Sequence, residues 1–191
     1  MAIRRLKKNT IVVVAVLALA ALGAGTWFLT RESGPEFDLN KGPMKPAARF
    51  ELPDDTGRKR PLEEFKGKVV ILHFWATWCA PCIEEIPQWV ELARKFRGKP
   101  VAFVAVSLDQ KWEEAHRYLD PKKLPDNVVS LLDPDAKVPD LFGSFQFPES
   151  YLLTPDLRIL SKWVGQQDWE GARMTEVLDK VIELTVGKAS R

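Results

Sequence analysis

The segment Ile71-Leu72-His73-Phe74-Trp75-Ala76-Thr77-Trp78-Cys79-Ala80-Pro81-Cys82 decides how the rest of the chain is read. It runs from an apolar, β-branched stretch into two cysteines three positions apart. Residues 68–75, bounded by Gly67, read as a buried strand. From 81 to 96 the period turns helical, with Ile83, Ile86, Trp89, Val90 and Ala93 recurring at three and four. Cys79 therefore stands where a strand ends and a helix begins. A helix start offers unpaired N–H groups and a positive partial charge, and both favour thiolate over thiol. Cys82 follows one turn later on the same side, close enough to resolve a mixed disulfide. Pro81 has no N–H to give, but early in a helix that loss costs little.

Two other readings of the pair are open at this point. Cys79 and Cys82 are the only cysteines among 191 residues, too few for a disulfide scaffold. A zinc site would have to recruit His73 and His116, the only histidines, and no HxxxH spacing exists. A purely structural disulfide across so short a step constrains almost no chain entropy. A redox couple fits the placement best, and no metal site is expected.

Outward from the motif, residues 101–107 form a second buried strand and 111–119 a charged amphipathic helix. Residues 128–132 read as extended, and 133–142 as a turn followed by a short helix. Residues 149–154 and 158–164 read as a hairpin turning at Thr154-Pro155-Asp156-Leu157. Asp168 is the expected N-cap of a last helix reaching about Leu184. On the N-terminal side, 48–52 reads as a short strand ended by Pro53-Asp54-Asp55-Thr56-Gly57. Alternating strands and helices imply parallel pairing in the middle and antiparallel strands at the end. The expected class is α/β, a mixed central sheet with helices on both faces.

The N-terminus has its own logic. Residues 11–29 are an almost unbroken apolar run without charge, reaching roughly 28 Å as a helix. Arg4, Arg5, Lys7 and Lys8 precede it and no acid occurs in 1–30. That asymmetry keeps a basic tail (1–10) in the cytoplasm and places the body outside. Trp27 and Phe28 sit where interfacial aromatics belong. A cleaved signal peptide is the competing reading, with Gly23-Ala24-Gly25 as a weak cleavage site. Both readings export the domain to a compartment that permits disulfide chemistry. The expected organisation is tail 1–10, one transmembrane helix 11–29, linker 30–46 and domain 47–187. Without the four N-terminal cations the body carries 24 basic and 26 acidic residues. So balanced a body has no basic face for nucleic acid.

The stretch from Phe74 to Cys82 resembles the active-site motif of the thioredoxin superfamily, and more narrowly the membrane-anchored TlpA/ResA/CcmG group. Leu62-Glu63-Glu64-Phe65-Lys66-Gly67-Lys68-Val69-Val70 is similar to the same group. So is Phe147-Pro148-Glu149-Ser150-Tyr151-Leu152-Leu153-Thr154. The resemblance covers about residues 45–187 and implies a thioredoxin-like fold. It implies Cys79 as attacking thiolate and Cys82 as buried resolving thiol, with no cofactor beyond their redox-active disulfide. It makes Pro148 a cis-proline that faces the cysteines and exposes the Phe147 backbone to an extended substrate. Trp78 flanks that surface, and Pro87 kinks the helix. Glu85, three residues after Cys82, takes the place of a buried acid that tunes the cysteines; an ordinary helix-surface carboxylate is the alternative.

His73 departs from the pattern, standing where thioredoxins carry aspartate and TlpA-like proteins usually asparagine. It is either a proton acceptor for Cys82 or a neutral, hydrogen-bonded core histidine. The implied activity is reduction of disulfides in exported proteins from the bacterial inner membrane, with the catalytic domain on the periplasmic side. The implied substrate is the oxidised CxxCH pair of apocytochrome c, or alternatively the cysteines of a copper site. A membrane thiol reductase of the CcdA/DsbD kind would recycle the pair. A DsbA-like oxidase usually has a histidine between its cysteines, where Ala80-Pro81 stand here. A peroxidase places threonine three before its cysteine, and Thr77 stands two before Cys79. A copper-binding chaperone is the alternative of a different class; its usual CxxxC is not present.

Overall fold

The computed structural model describes residues 44–186. The expected tail and membrane anchor, and all but the end of the linker, lie outside them. No helix among the described residues is long and apolar enough to cross a membrane.

The chain enters through a small antiparallel hairpin, β1 (Glu51–Pro53) with β2 (Lys59–Pro61). Asp54 shapes its turn: Oδ1 accepts from the N–H groups of Thr56 and Arg58, both at 3.0 Å. Gly57 supplies the positive φ of 80° that the turn needs. A 3-10 turn, Leu62–Phe65, then leads into β3 (Val69–Trp75). There follow α1 (Ala80–Lys95), β4 (Val101–Ser107), α2 (Trp112–Ala115), β5 (Val128–Leu132) and α3 (Lys137–Phe142). The chain closes with β6 (Glu149–Leu153), β7 (Ile159–Val164) and α4 (Ala172–Thr185).

The main sheet has the order β5-β4-β3-β6-β7. β3, β4 and β5 are parallel; β6 and β7 run antiparallel to their neighbours. Every residue of β3 and β4 is buried, as expected of apolar strands covered on both sides. Register shows what covers each side. Leu72 and Phe74 pair with Tyr151 and Glu149, while His73 pairs with Ser150. On one face Phe74 meets Phe142 of α3 and Tyr151, at ring distances of 5.6 and 6.0 Å. On the other, His73 stacks on Trp89 of α1 at 5.4 Å. Helices therefore cover both faces of a mixed sheet, in a thioredoxin-like α/β fold.

Three local expectations change. β2 was not anticipated: Lys59-Arg60-Pro61 is too short and too charged to show a strand period. The helix expected over 111–119 keeps α geometry only at Trp112–Ala115. Beyond it Arg117 and Tyr118 donate three residues back, to Glu114 and Ala115, tightening the turn ahead of Pro121. The last helix is capped by Gly171, not Asp168. Asp168 Oδ1 instead accepts the Gly171 N–H at 3.0 Å, one loop earlier.

Candidate active site

Cys79 is the N-cap of α1, with extended backbone (φ −98°, ψ 100°). Its carbonyl starts the helix by accepting from Cys82 N at 3.0 Å and Ile83 N at 3.2 Å. Cys79 and Cys82 are joined as a disulfide, with Cα atoms 5.3 Å apart. The two sulfurs differ in access: Cys79 is 7% exposed and Cys82 is fully buried. Pro87 lies inside α1, where it leaves the Ile83 carbonyl without its helical donor.

The loop before the cysteines is held from below. Asp109, buried at the end of β4, accepts from Thr77 N at 3.0 Å and Thr77 Oγ1 at 2.6 Å. Ser107 Oγ donates to its other oxygen at 2.7 Å. That anchorage leaves Trp78 turned outward, 66% exposed. Its ring meets Phe147 edge-on at 6.1 Å. The Phe147–Pro148 peptide is cis. Since Glu149 pairs with Phe74, Pro148 enters β6 level with the end of β3, beside the cysteine loop. Phe145, two residues before Phe147, is 82% exposed.

Beneath the disulfide lies a buried polar group. Glu85 and His73 are both fully buried. Glu85 Oε2 accepts the backbone N–H of Gln167 at 2.8 Å, and Oε1 faces His73 Nε2 at 3.6 Å. His73 Nδ1 is 2.8 Å from Ser150 Oγ. Trp89 stacks on the imidazole and Trp169 meets it edge-on at 6.1 Å. Burial pushes the Glu85 carboxyl up to about 7, against the opposing pull of the Gln167 N–H and the nearby Trp169 indole. The indole N–H makes no well-formed hydrogen bond of its own. Burial also drives His73 down to about 3, so the imidazole is neutral at neutral pH.

The fold thus brings the expected residues into two groups: Trp78, Phe147 and Pro148 at the surface, Glu85 and His73 below. Cys79 and Cys82 lie between them on α1. His73 is aimed at Glu85, and among the described residues its Nε2 has no hydrogen-bond partner, on either sulfur or elsewhere. His116 lies apart, stacked on Trp112 at 5.3 Å. Four residues that complete the site were not singled out for it from sequence: Ser150, Gln167, Trp169 and Asp109. Ser150 alone carried a signal, the strand alternation that sets it on the face opposite Glu149. The other three reach the site across 32 or more residues of chain.

A disulfide at a helix start, with one shielded sulfur and one more accessible, defines a thioredoxin-like thiol–disulfide oxidoreductase. The model of the AhpC/TSA family matches residues 43–162, and the chain belongs to that family. It is 30% identical over 168 residues to the thiol-disulfide oxidoreductase ResA of Bacillus thuringiensis (strain Al Hakam), covering 86% of this chain and 94% of that one. Among solved structures it is similar to a protein of Chlorobium tepidum assigned as the thiol:disulfide interchange protein DsbE. That match has 30% identity and a TM-score of 0.62, over 76% of this chain and 98% of the other. It is also similar to StoA of Bacillus subtilis, at 26% identity and a TM-score of 0.56, over 70% and 98% of the two chains. Dithiol–disulfide exchange at Cys79 and Cys82 is the activity of the enzyme.

Proposed function

We propose that the chain is a membrane-anchored reductase of disulfides in exported proteins, with oxidised apocytochrome c as its substrate. The observation that carries the direction is the pair of cysteines separated only by Ala80-Pro81, with a buried acid one turn below. The uncharged run at 11–29 behind a basic cluster supports the anchor and an extracytoplasmic domain.

In the reduced enzyme the Cys79 thiolate attacks one sulfur of the substrate disulfide. That S–S bond breaks, and the second substrate sulfur leaves and takes a proton. Cys82 then gives its proton to Glu85 and attacks Cys79 Sγ. The mixed disulfide breaks, the released substrate sulfur takes a proton from water so that the substrate departs as a dithiol, and the Cys79–Cys82 disulfide forms, two electrons having passed to the substrate. A carboxyl at about 7 is half ionised at neutral pH, which suits an acceptor that must later return the proton. His73 acts on this step through Glu85. Trp78, Phe147 and Pro148 form the edge that receives an extended substrate segment. A membrane thiol reductase returns the pair to the dithiol.

A Cys82→Ala variant of the full chain stops the cycle at the mixed disulfide. Affinity capture from cells, with mass spectrometry before and after reductant, should find an apocytochrome c joined to Cys79. A copper-site protein in its place would change the substrate, and the absence of any trapped protein would overturn the reductase reading.

A further inference from the structure

Glu85 Oε1 and His73 Nε2 are buried atoms that face each other and have no other hydrogen-bond partner among the described residues. Their 3.6 Å separation is a few tenths of an ångström outside bonding range. The far end of each group is occupied, but by different kinds of partner. Glu85 Oε2 meets a backbone N–H, which only donates. His73 Nδ1 meets the hydroxyl of Ser150, which donates or accepts equally well.

We propose that Ser150 is a positioning residue that lets His73 exchange tautomers, so that Nε2 accepts from Glu85 when the carboxyl is protonated and donates to it when the carboxyl is ionised. In the protonated state the Glu85 O–H points at Nε2, and Nδ1–H donates to Ser150 Oγ. On ionisation one proton leaves, the single ring hydrogen moves to Nε2, and the Ser150 hydroxyl turns to donate to Nδ1. The imidazole stays neutral throughout. The released proton goes to water in a titration and to sulfur during turnover. Both charge states of Glu85 then keep a partner, which is what a reversible proton store in a dry site requires.

The surroundings leave the exchange to these three groups. From α1, Cys82 shares Glu85's helix face and Trp89 stacks on the ring. The segment after β7 contributes the Gln167 N–H and the Trp169 indole. β6 contributes Ser150; its neighbour Glu149, with Lys162, lies on the opposite face of the sheet. Among the described residues, burial shifts His73, and burial with the Gln167 and Trp169 donors shifts Glu85. Without the serine hydroxyl, a bare Nδ1 lone pair is tolerated better than an orphaned Nδ1–H. The ring hydrogen would then stay on Nε2 and hold Glu85 as carboxylate.

The functional meaning of this switch rests on Glu85 being the proton partner of Cys82, so the two are tested apart. The oxidised full chain, in which Cys82 carries no proton, is titrated by long-range proton–nitrogen correlation NMR at His73 and carbon NMR at Glu85. The two ring nitrogens should trade protonated and bare signatures at the Glu85 midpoint, with no imidazolium. Ser150→Ala should hold one tautomer at every pH and lower the Glu85 midpoint; Ser150→Thr should restore the exchange. A single wild-type tautomer through the Glu85 titration, or an imidazolium there, overturns the proposal. The reading of Glu85 fails separately, if Glu85→Gln leaves the pH slope of the Cys79–Cys82 reduction potential unchanged.

Discussion

The two faces of the central sheet each bury a glutamate, and they treat it in opposite ways. On the Phe74 face, Glu149 Oε1 accepts from the Tyr151 hydroxyl at 2.6 Å and from Ser144 Oγ, and pairs with Lys162 Nζ at 3.0 Å. On the His73 face, Glu85 has one backbone N–H and a neutral imidazole just out of reach. The consequences appear in the neighbours. Burial and then the bond to Glu149 push the Tyr151 phenol up. Burial pulls Lys162 down, but its contacts with Tyr151 and Glu149 outweigh that and leave it raised. What differs is the partner set: donors surround Glu149, whereas burial without such donors raises Glu85 to where it can trade a proton. A single strand serves both arrangements, because Glu149 and Ser150 are consecutive in β6 and point to opposite faces.

The comparison breaks most visibly in the pH dependence of stability. His73 is lowered to about 3 by burial, from 6.5 when free. The unfolded chain takes the proton first. The stability held by the neutral imidazole is therefore complete above about 6.5 and lost as pH falls through about 3, roughly 5 kcal/mol in all. Urea unfolding of Glu85→Gln followed from pH 7 to pH 4 should show this loss, and adding His73→Asn should flatten it. Glu85 has the opposite sign. Its carboxyl is raised from 4.5 to about 7, so its contribution is complete below 4.5 and lost as pH rises through about 7, roughly 3 kcal/mol. Glu85→Gln should remove that decline and leave the protein more stable than wild type at pH 8. Where the windows overlap, between about 4.5 and 6.5, the two slopes partly cancel, so the single variants are needed to see either.

The Glu149 face should answer differently. Glu149→Ala strands a phenol, a hydroxyl and an ammonium. Lys162 is 36% exposed in its side chain, so the cost should be about 2–3 kcal/mol, below that of breaking a fully buried pair. It should appear in the urea midpoint while the pH profile of Cys79 alkylation in the reduced protein keeps its shape. A changed profile would mean that the two faces are coupled through β6.

Much of this layout could be read before the structure. β3 to α1 was legible because an apolar β-branched run changes period at Cys79. The hairpin of β6 and β7 was legible from Thr154-Pro155-Asp156-Leu157, where Leu157 N bonds Thr154 O at 2.8 Å. What escaped were features that only tertiary contact decides. Three residues of β2 carry no period of their own. Asp168 has the chemistry of a cap, yet the chain makes a further bend before α4 starts at Ala172. In the site, the residues on α1 follow from helical spacing, whereas Ser150 is paired with His73 only by sheet register. Gln167 joins Glu85 from 82 residues away. No local pattern marks a backbone N–H as the one donor a buried acid will find.

Asp109 supplies a third buried carboxyl, and it separates the two behaviours on a smaller scale. It sits beside the active loop, as Glu85 does, but its partners resemble those of Glu149: Thr77 N, Thr77 Oγ1 and Ser107 Oγ all donate to it. If partner number rather than nearness to the cysteines decides the role, Asp109 belongs with the structural acids. Thr77→Val removes one O–H donor and keeps the backbone N–H at 3.0 Å. The carboxylate retains two donors, so the loss should be that of one hydrogen bond to a charged group, about 1–2 kcal/mol in the urea midpoint. Cys79 alkylation should keep its pH profile, because Glu85 and its partners are left as they were. A shift of that profile in Thr77→Val would place Asp109 with Glu85, and would make distance from the sulfurs, not satisfaction of the oxygens, the property that sorts the buried acids of this fold.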